Sequence, residues 1–278
     1  MSVLASASTN HVIAEPFAHV VLEDAIDRNL YTKLEKDFPA PERFTKGMAD
    51  LKNNQAVRIP ARAIVDSMEF TADWREFFRY HTSQDFWMDI VRVMGDALRA
   101  AHPGLETTAG KSLENWRVGK RGTEESGDVA LDALFVVNTP VTKVSSVRPA
   151  HVDSEDEIWA GLLYMKSADD RTSGGDLAMY HFKSRPAFGG HYAPLSAVVQ
   201  DKVVSYGSNR FVSFINSERS IHGVTPRAAT DRYRRYINMV AVTPFKAFRL
   251  PRMSPLGQLK FWLDRRGTKA SGTMAKGY

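Results

Sequence analysis

Between about Leu113 and Val242 the chain is a succession of short apolar runs separated by Gly, Pro, Asn and Asp. The runs are Leu113–Val118, Ala130–Val137, Ala160–Met165, Gly174–Tyr180, Val198–Val204, Arg210–Ile215 and Tyr233–Val242. Each has the length of a strand, is rich in Val, Ile, Leu, Phe and Tyr, and is bounded by turn residues, which predicts β-structure. Many short strands in series with no long helical run between them predict two packed sheets, as a sandwich or a barrel-like double sheet. No internal repeat, GxGxxG loop or P-loop interrupts the series.

The first 110 residues follow a different period. After a frayed start, Phe17–Glu23 alternates as one strand. Asp24 or Asp27 then caps a helix reaching about Phe38, with Leu30, Leu34 and Phe38 on one face, and Pro39 and Pro41 stop it. The polar stretch Phe44–Gln55 reads as an irregular loop, either a substrate-binding lid or a plain connector. Thr71–Tyr80 and Ser83–His102 read as helices. The second carries the stripe Phe86, Ile90, Val93, Met94 and Leu98 and ends at Pro103-Gly104. The expected organisation is a mostly helical support region over residues 1–110, a β core over 111–245 and a tail over 246–278, integrated as one domain. The tail holds one short amphipathic stretch, Pro255–Leu263, before a Gly/Lys/Ser-rich end expected to be disordered.

The chain contains no cysteine, which excludes disulfides, thiolate metal sites and thiol nucleophiles. The start lacks the basic and long apolar regions of a signal peptide, and no run is long enough to span a bilayer, so a cytoplasmic protein without a membrane partner is expected. The net charge of +5 comes largely from arginines and lysines spread over the last third. No helix-turn-helix or RNP-like motif accompanies them, so nucleic acid is not an expected partner.

Three residues could carry chemistry together. His151 and Asp153 are two apart, so on extended chain their side chains share a face. A later strand can bring His222 beside them. Two imidazoles and one carboxylate on one side of a metal, with the other side open, make the facial triad of non-haem Fe(II) sites.

The order of motifs around these residues resembles the Fe(II)/2-oxoglutarate-dependent oxygenases, in the style of the prolyl-hydroxylase-like branch. The series runs from His151-x-Asp153 through the strand ending Leu163-Tyr164-Met165, Gly174-Gly175-Asp176-Leu177 and Asn209–Phe214, to Ser220-Ile221-His222-Gly223-Val224-x-Pro226 and an arginine-bearing strand. The resemblance implies a mainly β protein with flanking helices, its core a double-stranded β-helix of the jelly-roll or cupin-like kind. It also implies Fe(II) on His151, Asp153 and His222, with 2-oxoglutarate as co-substrate and O2 as oxidant. An arginine would anchor the far carboxylate of 2-oxoglutarate, because its planar fork makes bidentate contacts. Arg234 is the first choice, with Asn238 four residues along the same strand, ahead of Arg232 and Arg235. Tyr164 stands where the family has a tyrosine that helps hold the co-substrate. Family members that halogenate replace the carboxylate with a small residue, so Asp153 points to hydroxylation or a related oxidation. His181 and His191 flank a long segment that could form a rim, but lack the context of His222. The expected substrate is a small molecule. A protein side chain, a cupin-like metal module without redox chemistry, and an interaction module with incidental His and Asp stand as alternatives, and the oligomeric state is open.

Overall fold

The computed structural model describes residues 1–46, 51–122, 126–259 and 261–263. Its strands are β1 (His19–Leu22), β2 (Ala56–Pro60), β3 (Val118–Lys120), β4 (Val129–Asn138), β5 (Glu157–Met165), β6 (Leu177–Phe182), β7 (Val198–Val204), β8 (Ser208–Ile215), β9 (His222–Val224) and β10 (Arg234–Val242). They form a seven-stranded sheet in the order β1-β8-β5-β10-β4-β2, with β3 parallel to β4, and a three-stranded sheet in the order β7-β6-β9. The other pairings are antiparallel.

The larger sheet has two covered faces, and strand alternation sorts its side chains between them. On β10, Ile237, Met239 and Ala241 point outward and join Phe135, Leu163 and Phe211 from its neighbours against the helices. Tyr236 points inward with Val136, Ala160, Tyr164, Val212 and Phe214, and meets Leu177, Met179 and Val204 of the smaller sheet. Burial on both sides explains why these runs are apolar throughout rather than strictly alternating.

The helices α1 (Arg28–Lys36), α2 (Pro41–Thr45), α3 (Ala72–Tyr80), α4 (Gln84–Ala101) and α5 (Leu105–Ala109) come from the first 110 residues. Asp27 caps α1, its carboxylate accepting from the amides of Asn29 and Leu30, and Ser83 caps α4. The stripe read on α4 is buried as expected, with Phe86, Ile90, Met94 and Leu98 all at 0% exposure. Phe135 of β4 is enclosed by Phe38, Phe70, Trp74 and Phe78. Truncating a ring held in this way costs about 3–5 kcal/mol.

Three expectations change. The N-terminal region supplies, besides the expected strand β1, an unexpected second strand β2, and the two extend the larger sheet at both of its ends. Leu113–Val118 is not a strand, because Leu113–Asn115 turns as a 3-10 helix and only Val118 begins β3. Leu113 and Trp116 are both buried there, a spacing of three that suits a helical turn rather than a strand. Within the stretch read as one loop, Phe44 is buried on α2, and Asn53 and Asn54 are tied to Lys143 and Ser145 through their side-chain amides. Residues 47–50 of that stretch, and the expected disordered end over 264–278, lie outside the described residues. The tail is helical over 255–259 and 261–263. Among the described residues no helix is long and apolar enough to cross a membrane.

Candidate functional site

His151 and His222 face each other across an isolated antiparallel bridge, each amide donating to the other's carbonyl at 2.8 Å. Ala150 and Val152, the residues alternating with His151 and Asp153, go to the opposite side and join Phe188, Ala193 and Ile221 in a small apolar cluster. That alternation leaves both polar side chains of the tripeptide on the inner face, as the spacing predicts. Asp153 is held from behind, its amide donating to Asn216 Oδ1 at 3.3 Å.

The ring orientations are set by backbone carbonyls. His151 Nδ1–H donates to Pro149 O at 2.7 Å, and His222 Nδ1–H donates to Ser220 O at 2.8 Å. A carbonyl only accepts, so each Nδ1 carries a proton and both Nε2 atoms face inward. His151 Nε2 lies 3.5 Å from Asp153 Oδ1, and His222 Nε2 lies 3.3 Å from Asp153 Oδ2. One ligand atom from each residue falls within 4.8 Å of the other two, and no other such group occurs among the described residues. Ligands on bonds of about 2.1 Å at right angles stand about 3 Å apart, so only a small contraction is needed to close on an ion.

The electrostatics suit a cation. Burial, then the charges of Arg148 and His222, push His151 down to about 3, so its imidazole is neutral in the folded protein. Burial raises the Asp153 carboxyl, but the charges of His222 and Arg148 and the ring hydrogen bonds outweigh it and hold the group well below the usual range. Arg148 Nη1 donates to Asp153 Oδ1 at 2.8 Å. His151 Nε2 is buried with no hydrogen-bond partner, a costly arrangement unless something binds there.

A second constellation lies on the inner face of the larger sheet. Arg234, 2% exposed, donates from Nε to Gly175 O at 2.6 Å and from Nη1 to Asn138 Oδ1 at 3.2 Å. Its guanidinium carbon sits 5.1, 5.1 and 4.5 Å from the ring centroids of Tyr164, Tyr206 and Tyr236. Gly174 and Gly175 have φ of +77° and +81°, and a Cβ on Gly174 would meet Pro226 O at 1.9 Å, so the turn under Arg234 requires glycine. Tyr164 Oη and Asn138 Nδ2, beside this arginine, are also buried without a hydrogen-bond partner. Burial pushes the Tyr164 phenol up to about 12, against the pull of Arg234. It is therefore a hydroxyl donor at neutral pH.

Arg227 completes this end. It is 1% exposed and donates only to neutral acceptors: Asn54 Oδ1 and Thr139 O at 3.1 Å, and Arg232 O at 2.9 Å. Burial, then the neighbouring charge of Arg234, push it down to about 10. Among the described residues neither Arg227 nor Arg234 has a carboxylate within 4.0 Å. The other two arginines considered for the anchor lie elsewhere. Arg232 is exposed and pairs with Asp169 at 2.9 Å, while Arg235 faces the helices and pairs with Glu35 at 2.6 Å. Asn238 shares the face of Arg234 and lies across from Leu134 and Leu162. All three are only half-buried, so the inner face is packed around Tyr164 and Tyr236 and opens at Asn238.

His181 and His191 stay outside the triad. His181 Nδ1 pairs with Asp201 at 2.5 Å on the rim of a separate cleft of about 830 Å3 that also includes Glu15, Lys202, Glu218 and Arg219. His191 Nδ1 donates to the Asp153 carbonyl at 3.1 Å. Sequence reasoning missed Asn138, Arg148, Asn216 and Arg227. Only Arg227 offered a signal, standing next to Pro226 at the end of the His222 motif.

The chain is similar to solved structures of other proteins. They are prolyl 4-hydroxylases and other 2-oxoglutarate-dependent oxygenases. A prolyl 4-hydroxylase of Phytophthora capsici is 14% identical with a TM-score of 0.47, over 89% of this chain and 68% of that one. A prolyl-4-hydroxylase of Pseudomonas putida is 12% identical with a TM-score of 0.43, over 82% of this chain and 93% of that one. An α-ketoglutarate-dependent epimerase of nogalamycin biosynthesis is 9% identical with a TM-score of 0.44, over 81% of this chain and 78% of that one. No family model and no curated protein matches the sequence. At such identities and scores the chemistry has to be read from the site itself.

Proposed function

We propose that this protein is an Fe(II)- and 2-oxoglutarate-dependent dioxygenase that hydroxylates a C–H bond of a small molecule. Its two facing sheets are read as a double-stranded β-helix, with β4, β10, β5 and β8 as one wall and β7, β6, β9 and the His151 bridge as the other. The observation that carries the reading is the pairing of unmet demands inside one fold. A triad of two imidazoles and one carboxylate has an orphaned buried Nε2, and a buried arginine with no carboxylate within 4.0 Å among the described residues stands beside two orphaned donors.

In this reading His151 Nε2, His222 Nε2 and Asp153 hold the iron, and the carbonyls of Pro149 and Ser220 keep the rings aimed. Arg234, the Tyr164 hydroxyl and the Asn138 amide receive the far carboxylate of 2-oxoglutarate, with Asn238 on the wall beside it. When bound, iron and 2-oxoglutarate together supply the activation of O2, with 2-oxoglutarate leaving as succinate and CO2. The apolar side chains between the two ends, among them Met179, Val212 and Phe214, keep bulk water away from the reacting centre. A metal module without redox chemistry has no use for a buried arginine pocket, so that alternative is disfavoured.

Anaerobic titration with Fe(II) and then 2-oxoglutarate tests the proposal. Binding of 2-oxoglutarate is expected to strengthen at least tenfold once the metal is present, and in air the complex is expected to release succinate. Binding that ignores the metal would overturn the reading.

A further inference from the structure

The inner surface opens at Leu134, Leu162 and Asn238, and the opening is bordered by charge. Arg148, on the segment leading to the triad, is half-exposed and reaches Asp153 Oδ1 at 2.8 Å. Arg121, exposed in the turn after β3, has its charge within reach of both Asp132 and Glu157. Arg58, exposed on β2, stands opposite Val136 and so shares the inward register. Among the described residues Asp153 is the one carboxylate within 4.0 Å of any of these three arginines.

That pairing changes once the triad is loaded. A divalent cation is neutralised by Asp153 together with one carboxylate of bound 2-oxoglutarate, so Arg148 then faces a centre with no net negative charge. Glu157, at the start of β5, lies more than 4.0 Å from the side-chain nitrogens of Arg58, Arg121 and Arg148. Burial, with the charge of Asp153 added, pushes its carboxyl well above the usual range despite Arg121 and Arg148. Among the described residues the mouth therefore presents guanidinium groups that no carboxylate other than Asp153 answers within 4.0 Å, and guanidinium forks fit planar or tetrahedral oxyanions bidentately.

We propose that the substrate carries an oxyanionic group, a carboxylate in the first instance, which Arg121 and Arg148 grip at the mouth so that its C–H bonds reach toward the triad. The inference rests on the iron and 2-oxoglutarate reading and names the substrate class that reading leaves open. Arg58 borders the same opening and steers the approaching anion.

The test is calorimetric and uses protein loaded with Mn(II) and a non-reacting 2-oxoglutarate analogue. The probes are free α-amino acids and hydroxy acids, their primary amides, and sugar phosphates. Metal-dependent binding of the analogue is the control for the underlying reading, and its absence would sink that reading without bearing on the mouth. Given that control, at least one acid is expected to bind tenfold or more tighter than its amide. Arg121→Gln should bring that ratio close to one, and Arg121→Lys should restore part of it. A phosphate bound in preference to carboxylates, with the same loss in Arg121→Gln, supports the oxyanion grip and identifies its source. Amides binding as tightly as acids, no anion binding at all, or a ratio untouched in Arg121→Gln would overturn it.

Discussion

At one end of the inner surface His151, Asp153 and His222 surround a carboxylate that already has cationic and imidazole neighbours. At the other, Arg227 and Arg234 are buried side by side with no carboxylate within 4.0 Å of either among the described residues. The first end is made by chain-local geometry: a two-residue alternation, a bridge, and ring nitrogens pinned to carbonyls two residues upstream. The second is made by register, with Asn138, Tyr164 and Arg234 arriving from three different strands. Buried cations are tolerated only when something answers their charge. Under the proposed function the two ends take opposite guests, a cation where the carboxylate is and an anion where the arginines are.

The largest effect that can separate the two ends is at the triad. Asp153→Ala or His222→Ala is expected to weaken Mn(II) binding by at least a hundredfold and abolish turnover, measured by metal titration and succinate release. His181→Ala and His191→Ala should keep the metal, and retention by His222→Ala alongside loss in either of them would move the triad. Next is Arg234→Ala, expected to leave metal binding in place while 2-oxoglutarate affinity falls by about 3–5 kcal/mol, as when one partner of a buried ion pair is removed. Arg232→Ala and Arg235→Ala are the controls, and a larger loss at Arg232 would relocate the anchor.

A smaller effect concerns the segment after β6. Its second half is sewn to the triad strand, with Val152 N donating to His191 O at 2.9 Å and Ala193 N donating to Ala150 O at 3.0 Å. Its first half, around Ser184 and Arg185, is exposed. Shortening residues 184–187 should cut substrate-coupled turnover several-fold while uncoupled succinate formation persists. Equal coupled rates would make the segment a passive connector.

The smallest effect lies away from both ends. His81 is fully buried, its Nδ1–H donating to Phe77 O at 2.7 Å and its Nε2 accepting from Val3 N at 3.2 Å. Burial pushes it from 6.5 down to about 3. A base depressed in the folded state takes up its proton first when unfolded. Its contribution to stability is therefore complete above pH 6.5 and is lost as pH falls from there toward 3. Thermal melts between pH 7 and 5 should show the wild type losing more stability than His81→Gln, by on the order of 1–2 kcal/mol. Parallel curves would mean that other groups govern the acid limb.

Much of the fold was legible because strand length, apolar content and turn residues are local properties. The strands later numbered β4, β5, β7, β8 and β10, and the helices α1, α3 and α4, were expected close to where they lie. Leu113–Val118 was misread because a short apolar alternation does not distinguish a strand from a 3-10 turn whose Leu113 and Trp116 are both buried. The strand β2 was missed because it follows a polar stretch and owes its form to pairing with β4 rather than to its own sequence.

By itself the sequence determined that His151 and Asp153 share a face, through their spacing, and singled out His222 by its distinctive run. It also separated the arginines of the last strand, because alternation puts Arg234 on one side and Arg235 on the other. Only the tertiary structure decided which neighbours those side chains meet: Asn138 and Tyr164 beside Arg234, Arg148 on Asp153, and Arg227 buried with no described carboxylate within 4.0 Å. The physical reason is that a strand's face follows from its own two-residue period. Which face lies inside, and what stands opposite, depends on cross-strand register between segments far apart in the chain.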